Sequence, residues 1–332
     1  MSATAERPDG HTDVDVLVVG AGQAGLGTGY WLARRTDLSF MVIDGDEQIG
    51  DSWRRRWDSL VLFTPRRFSA LPGTPMPRGP GAYAGKDQTA DYLAGYAEGQ
   101  GLPVRLRTRV LSLEQDGAGG FVAETTTGSI RARHVVIASG PYSTPFARVL
   151  GVSLHWWPWL SGILNGRSST RVSRLVRARG DGIIGRDLQA LVADGTVWMV
   201  KDRVSGAMGR DVLLSDGTQV RTDAVLWCTG FRPDHGWLGV AGALDGQGRP
   251  VHDAGRSPVP GLPWVGLPWQ ARLNSGIING VDPDARSAVR RVVAEEASAR
   301  PVDADVSSAR PGLCAPEPDR HHHDCRQRGH AA

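Results

Sequence analysis

One stretch near the N-terminus constrains this chain more than any other: Val14-Asp15-Val16-Leu17-Val18-Val19-Gly20-Ala21-Gly22-Gln23-Ala24-Gly25. Five of its first six residues are apolar and mostly β-branched, the composition of a buried parallel strand. Gly20 then permits a tight turn, Gly22 lets backbone approach phosphate oxygens, and Gly25 lets the following helix lie close to the strand. That helix carries Leu26, Tyr30 and Ala33 on one face, so its N-terminal N–H groups and dipole point back at a ligand. A second strand, Phe40-Met41-Val42-Ile43, ends in Asp44, 24 residues after Gly20. A carboxylate there accepts hydrogen bonds from a ribose and repels a 2′-phosphate. Strand, glycine turn, helix and acid together fit a dinucleotide site for FAD or NAD and argue against NADP at this loop.

The chain has 332 residues, 40% of them hydrophobic, enough for two domains and a substantial core. Its 38 Lys and Arg, nearly all Arg, are almost balanced by 35 Asp and Glu. Clusters such as Arg54-Arg55-Arg56 and Arg105, Arg107, Arg109 are not interleaved with stacking aromatics and read as solvated faces, so no nucleic-acid partner is expected. Three cysteines (Cys228, Cys314, Cys325) form no Cys-x-x-Cys pair, which speaks against dithiol redox chemistry. Residues 1–13 lack a secretory signal, and the apolar stretch Val149–Leu164 is interrupted by His155 and Pro158, too short to span a bilayer. The expected compartment is the cytoplasm.

An internal repeat organises the rest. Shifting the sequence by 90 residues aligns Phe121–Gly140 with Asp211–Gly230. Val122 meets Val212, Ile130 meets Val220, Arg131 meets Arg221 and Gly140 meets Gly230. Each copy reads as a β-hairpin leading into an apolar strand that ends in a small-residue turn, Val135–Gly140 and Val225–Gly230. The first copy has its glycine loop upstream. The second has none: Gly180-Asp181-Gly182-Ile183-Ile184-Gly185 follows a basic stretch without strand character and reads as a plain loop. Beyond Gly230 come turns, a short apolar strand at Leu262–Gly266, and a loop and helix from about Asn274 through Ala294. The Ala/Pro/Arg/Asp-rich tail has no periodicity. Its His321-His322-His323 and Cys325 lack paired metal-ligand spacing, so no metal site is expected. The aromatic cluster His155, Trp156, Trp157 and Trp159 reads as helix packing more than as a substrate box.

These residues resemble the flavin-containing monooxygenase family, especially its bacterial members. The likeness rests on Gly20–Gly25 and Asp44, on Gly50-Asp51-Ser52-Trp53-Arg54, and on Arg56–Pro65, which is similar to that family's flavin-facing segment. The Ala-Ser-Gly at 138–140 and Cys-Thr-Gly-Phe-Arg-Pro at 228–233 are similar to its paired Ala-Thr-Gly turns. The resemblance implies an α/β fold: a doubly wound Rossmann-like FAD-binding domain with a truncated second dinucleotide-binding-like domain inserted. The implied layout is a flexible N-terminus at 1–12, the FAD-binding domain at 13–145 and 231–296, the truncated domain at 146–230, and a disordered tail at 297–332. Gly20, Gly22, Gln23 and Gly25 would hold the pyrophosphate and Asp44 the adenosine ribose. Trp53 and Arg54 would lie beside the flavin, Leu62 close to the isoalloxazine and Val110 at the adenine, and Gly140 would also bind the cofactor. The implied activity is flavin reduction by NAD(P)H and oxygen activation at flavin C4a, with O2 and a small molecule as substrates.

The chain departs from the family where its second glycine loop should stand, which counts against NADPH binding and leaves FAD as the expected cofactor. No Ser-His-Asp set or carboxylate pair stands out, as expected where a cofactor carries the reaction, and no catalytic side chain is assigned. Two other readings stay open: a non-catalytic or decayed FAD-binding flavoprotein, and an NAD-dependent dehydrogenase using the first loop.

Overall fold

The computed structural model describes residues 5–6, 12–140, 144–145, 167, 169–170, 187–225 and 231–299. The expected loop at 180–185, the aromatic cluster at 155–159, the apolar strand at 226–230 and the tail with its histidines lie outside the described residues.

The chain begins with β1 (Ala5–Glu6), β2 (Thr12–Val19), α1 (Gln23–Arg35) and β3 (Phe40–Ile43). A short helix α2 (Asp51–Arg54) and the longer α3 (Lys86–Gly99) lead to β4 (Val104–Arg105). The meander β5 (Val110–Gln115), β6 (Phe121–Thr125) and β7 (Gly128–Ile137) follows. Strands β4, β3, β2 and β7 lie side by side in that order, each neighbouring pair parallel, and β6 and β5 extend the sheet antiparallel from β7. This is the doubly wound order expected of a dinucleotide-binding domain.

Strand β2 is buried on both sides from Val16 to Val19, which is why it reads as an apolar run rather than an alternation. One face, with Val16 and Val18, packs on α1, α3 and the last helix, α5 (Val281–Ala299). The other face, with Leu17 and Val19, packs on Leu113, Phe121, Leu238 and Trp264. Helix α1 buries Leu26, Trp31 and Leu32, while Tyr30 is half-buried and Ala33 is exposed, so the inward face is rotated from the expected one. The glycines explain the rotation. Gly27 lets α5 approach so closely that a Cβ there would stand 2.7 Å from Val281.

The segment expected as a strand at 262–266 is reduced to one parallel bridge, Trp264 with Ile137, flanked by hydrogen bonds from Val135 N to Gly261 O and from Val265 N to Ile137 O. It takes the side of β7 that β6 leaves open beyond Ala132. Of the loop and helix expected from about Asn274 through Ala294, the loop runs into a 3-10 turn at Ile278–Gly280 and the helix spans Val281–Ala299.

Three further groups of elements complete the described chain. Helix α4 (Asp187–Ala193) precedes a three-stranded antiparallel meander of β9 (Val204–Met208), β10 (Asp211–Leu214) and β11 (Gln219–Arg221). Strands β8 (Thr144–Pro145) and β12 (Phe231–Arg232) pair antiparallel, so the chain leaves and rejoins the main sheet side by side. Among the described residues no helix is long and apolar enough to cross a membrane.

Candidate functional site: a glycine loop at the head of α1

The three glycines of the loop have three different physical reasons. Gly20 stands at φ +109°, a conformation L side chains rarely adopt, and a Cβ there would meet Ala138 O at 2.5 Å. A Cβ on Gly25 would stand 1.7 Å from Gly20 O, so the turn and α1 touch backbone to backbone. Gly22 is unlike both. It has extended backbone, and a Cβ on it would meet nothing within 4 Å. The protein therefore has no internal need for glycine at 22, and the space in front of it is open. Gly22 is also the N-cap of α1, with no side-chain cap and no acidic residue in the first turn, leaving the N-terminal amides to a ligand.

Asp44 stands directly behind this loop. Its Oδ2 accepts the Ala21 N–H at 2.6 Å and its Oδ1 accepts the Asp46 N–H at 2.9 Å. The carboxylate therefore braces the loop, a structural role that its spacing from Gly20 does not reveal. Each oxygen retains lone-pair capacity for a hydroxyl. Burial pushes the Asp44 carboxyl above the ordinary carboxylate value, opposed by its two backbone donors. Arg55 pairs with Asp46 at 2.8 Å one step outward.

Backbone bonds tie the loop to its surroundings: Gly20 N–H to Ile43 O, Thr108 N–H to Asp44 O, and Arg107 N–H to Asp46 O. Val110 opens β5 two residues beyond Thr108 and is half-buried. Gly140 follows the Ala138–Ser139 backbone that closes on Gly20, and it too is in the left-handed region with open space around it. Gly20, Gly22, Gly25, Asp44 and the 138–140 turn thus meet at one end of the parallel strands.

The segment expected to face the flavin packs against the same hydrophobic cluster as Ala21 and Ala24, with Leu62 buried and Trp53 half-buried. Leu62 N–H bonds Ala84 O at 2.7 Å. Arg54 donates to Ile49 O at 2.8 Å and to Asp91 at 2.9 Å, so it ties α2 to α3.

A part of the site lies outside the motifs. Residues 264–280 close over the head of α1: Gln23 Nε2 donates to Gly276 O at 3.4 Å, and a Cβ on Gly266 would come within 2.6 Å of Ala24 Cβ. Gln270 fixes the bend, donating to Trp264 O and accepting from Leu267 N–H. The sequence signal was present in Gly266 and the Ser275-Gly276 pair, but the contact joins positions some 250 residues apart.

Residues 17–154 match the profile of the pyridine nucleotide-disulphide oxidoreductase family. An uncharacterized CzcO-like oxidoreductase of Geobacillus kaustophilus is 31% identical over 345 residues, covering 84% of this chain and 98% of that protein. The CzcO oxidoreductase of Bacillus subtilis is 28% identical, covering 85% of this chain and 99% of its own. Since 84% of 332 residues is set against almost the whole Geobacillus protein, several dozen of its positions have no counterpart here. A solved flavin-containing monooxygenase from Stenotrophomonas maltophilia superposes with a TM-score of 0.67 at 28% identity, covering 85% of this chain and 98% of that one.

Proposed function

Because the chain belongs, with the CzcO-like oxidoreductases, to the flavin monooxygenase family, we propose that it holds FAD at the head of α1 and oxygenates a small molecule with O2, receiving electrons poorly from NADPH. The observation that carries FAD binding is the open cradle at Gly22, an uncapped helix N-terminus backed by a carboxylate. A pyrophosphate satisfies the first-turn amides and the dipole together. When bound, the flavin supplies two-electron chemistry and reactivity toward O2.

The chain's own residues bind and orient. Gly22 and the Gln23 N–H receive the pyrophosphate, with Gly20 and Gly25 keeping loop and helix in contact. Asp44, held by Ala21 N–H and Asp46 N–H, offers its remaining lone pairs to the ribose hydroxyls. Val110 offers backbone to the adenine. Trp53 and Leu62 form the apolar side of the isoalloxazine site, Arg54 stiffens that side through Asp91, and Gly140 lines the turn behind the phosphates. The substrate is a small molecule whose class the described residues do not define.

Weak use of NADPH follows from the short second half. Among the described residues 187–225 are one short helix and three antiparallel strands, with no strand–glycine loop–helix unit. The same observation favours a second reading, an FAD-binding protein that takes no electrons from a nicotinamide. Purified protein tests both. A yellow protein with stoichiometric FAD is expected, bleached by dithionite and reduced slowly or not at all by NADPH or NADH without oxygen. A colourless protein that binds no added FAD would overturn the assignment. Saturable reduction by NADPH at tens per second would overturn the claim about the short half.

A further inference from the structure

Helices α1 and α5 run side by side on one face of the sheet. Gly27 lies against Val281, and Trp31 donates its indole N–H to Asp282 Oδ1 at 2.8 Å. Between the C-terminal end of α1 and the middle of α5 the two helices line a groove of about 180 Å³, bounded by Trp31, Arg35, Arg286, Val289, Arg290 and Val293. Its charge is only partly compensated. Arg286 has the Asp282 carboxylate at 3.6 Å, but neither Arg35 nor Arg290 has a carboxylate within 4 Å among the described residues. Arg286 Nε is buried without an acceptor. Two of the guanidiniums are parked on one ring, Arg286 at 4.2 Å and Arg35 at 5.3 Å from the Trp31 centroid.

Like charges gathered in a small groove repel one another, and a bound anion relieves that repulsion. Guanidiniums are suited to carboxylates and phosphates through paired N–H donors, and side chains already stacked on an indole lose less freedom on binding. Beside these donors the indole, Val289 and Val293 offer apolar wall. From this geometry we infer that the α1–α5 groove is a binding site for a small organic anion, one carboxylate or phosphate head on an apolar body. The groove is smaller than the roughly 300–1,000 Å³ pockets that take drug-sized ligands, so the ligand is of single-ring size. It also lies apart from the nucleotide loop, since Trp31 and Arg35 are about 9–15 Å along α1 from Gly25 at 1.5 Å per residue.

The test uses the full-length, flavin-loaded protein and follows tryptophan indole N–H signals by NMR while benzoate, phenyl phosphate, inorganic phosphate or benzylamine is added. Benzoate or phenyl phosphate should shift one indole signal saturably, the tighter of the two identifying the preferred head group. Inorganic phosphate should bind at least tenfold more weakly, and benzylamine not at all. The Arg35→Gln/Arg290→Gln protein, altered only at exposed side chains, should lose at least tenfold in affinity for the organic anion with flavin absorbance unchanged. Val293→Asp, which puts a carboxylate in the groove, should do the same. Equal binding of inorganic phosphate, no saturable shift with either organic anion, or unchanged affinity in both variants would overturn the inference.

Discussion

The two copies of the internal repeat fold the same way locally and end differently. In the first, β6 pairs with β7 from Phe121↔Ala132 to Thr125↔Gly128. In the second, β10 pairs with β11 from Asp211↔Arg221 to Leu213↔Gln219, a hairpin in the matching place with its register moved by one residue. There the likeness stops. Strand β7 continues to Ile137 because β2 lies parallel beside it from Thr12↔Ile130 to Val19↔Ile137. Strand β11 ends at Arg221, and the surrounding residues carry large apolar side chains in the open, Trp198 85% and Met208 84% exposed. A hairpin is specified by its own alternation and turn. Continuation of the second strand depends on a partner, which the first copy has in β2, whereas residues 222–225 of the second belong to no described strand.

That contrast can be broken by substitution, and the largest expected effect is at Gly25. Gly25→Ala forces a Cβ to 1.7 Å from Gly20 O, and the protein should fail to fold or lose more than about 4 kcal/mol, the range of the most disruptive core changes. Circular dichroism and denaturant unfolding check it, and near-native stability would mean that loop and helix do not touch. Next comes a matched pair. Ile130→Ala, at a position 1% exposed, should cost about 3 kcal/mol, as expected for cavity creation.

Gly22→Val tests the cradle itself. Its extended backbone suits valine and its Cβ meets nothing. The apoprotein should therefore unfold at the wild-type denaturant concentration while FAD affinity falls at least about a hundredfold, near 3 kcal/mol. Full flavin content in the folded variant would remove the pyrophosphate from this loop.

Asp44→Asn sharpens the same distinction through pH. Because burial raises the carboxyl above its ordinary value of 3.8, the folded protein holds the proton more tightly than the unfolded chain. Ionisation thus erodes apoprotein stability as pH rises from 3.8 through the folded value, and the group is most favourable to folding below that window. FAD affinity should run the other way, falling as pH drops through the folded value and the acceptor for ribose is protonated. In the asparagine variant both slopes should disappear and FAD should bind about tenfold more weakly, since a hydrogen bond to a charged acceptor contributes about 1.5–3 kcal/mol. Unaltered pH profiles would assign them to another group. The smallest effect belongs to Val220→Ala, counterpart of Ile130→Ala, which should cost less than about 1 kcal/mol because the site is half open to solvent. A loss equal to that at Ile130 would dissolve the difference between the halves.

What could be read in advance was what adjacent residues decide. The strand ending at Val19, the strand Phe40–Ile43 and the three glycines are contiguous, and their chemistry is local. Asp44 was legible as an acid at the end of a strand, but its grip on Ala21 N–H required the loop to be folded back. The inward face of α1 differs from the one its apolar residues predict because Gly25 and Gly27 pack through missing side chains, which a hydrophobic pattern does not register. The closure of residues 264–280 over α1 was invisible for another reason. Its elements were recognisable, yet nothing in a short window says that Gly266 abuts Ala24.

The pairing of β8 with β12 has a consequence for how such a chain changes over time. Pro145 faces Phe231 and Thr144 faces Arg232, so whatever the chain does between these strands begins and ends at one doorway. The excursion also meets residues 264–280 through a bridge between Arg167 and Arg272, and closing it as a loop costs only about 0.6 kcal/mol more for each doubling of its length. Several dozen residues can be gained or shed there without moving the glycine loop or Asp44. The glycine-loop sheet and the segment between β8 and β12 are in this sense separately variable parts, joined at a seam two residue pairs wide and by one further bridge.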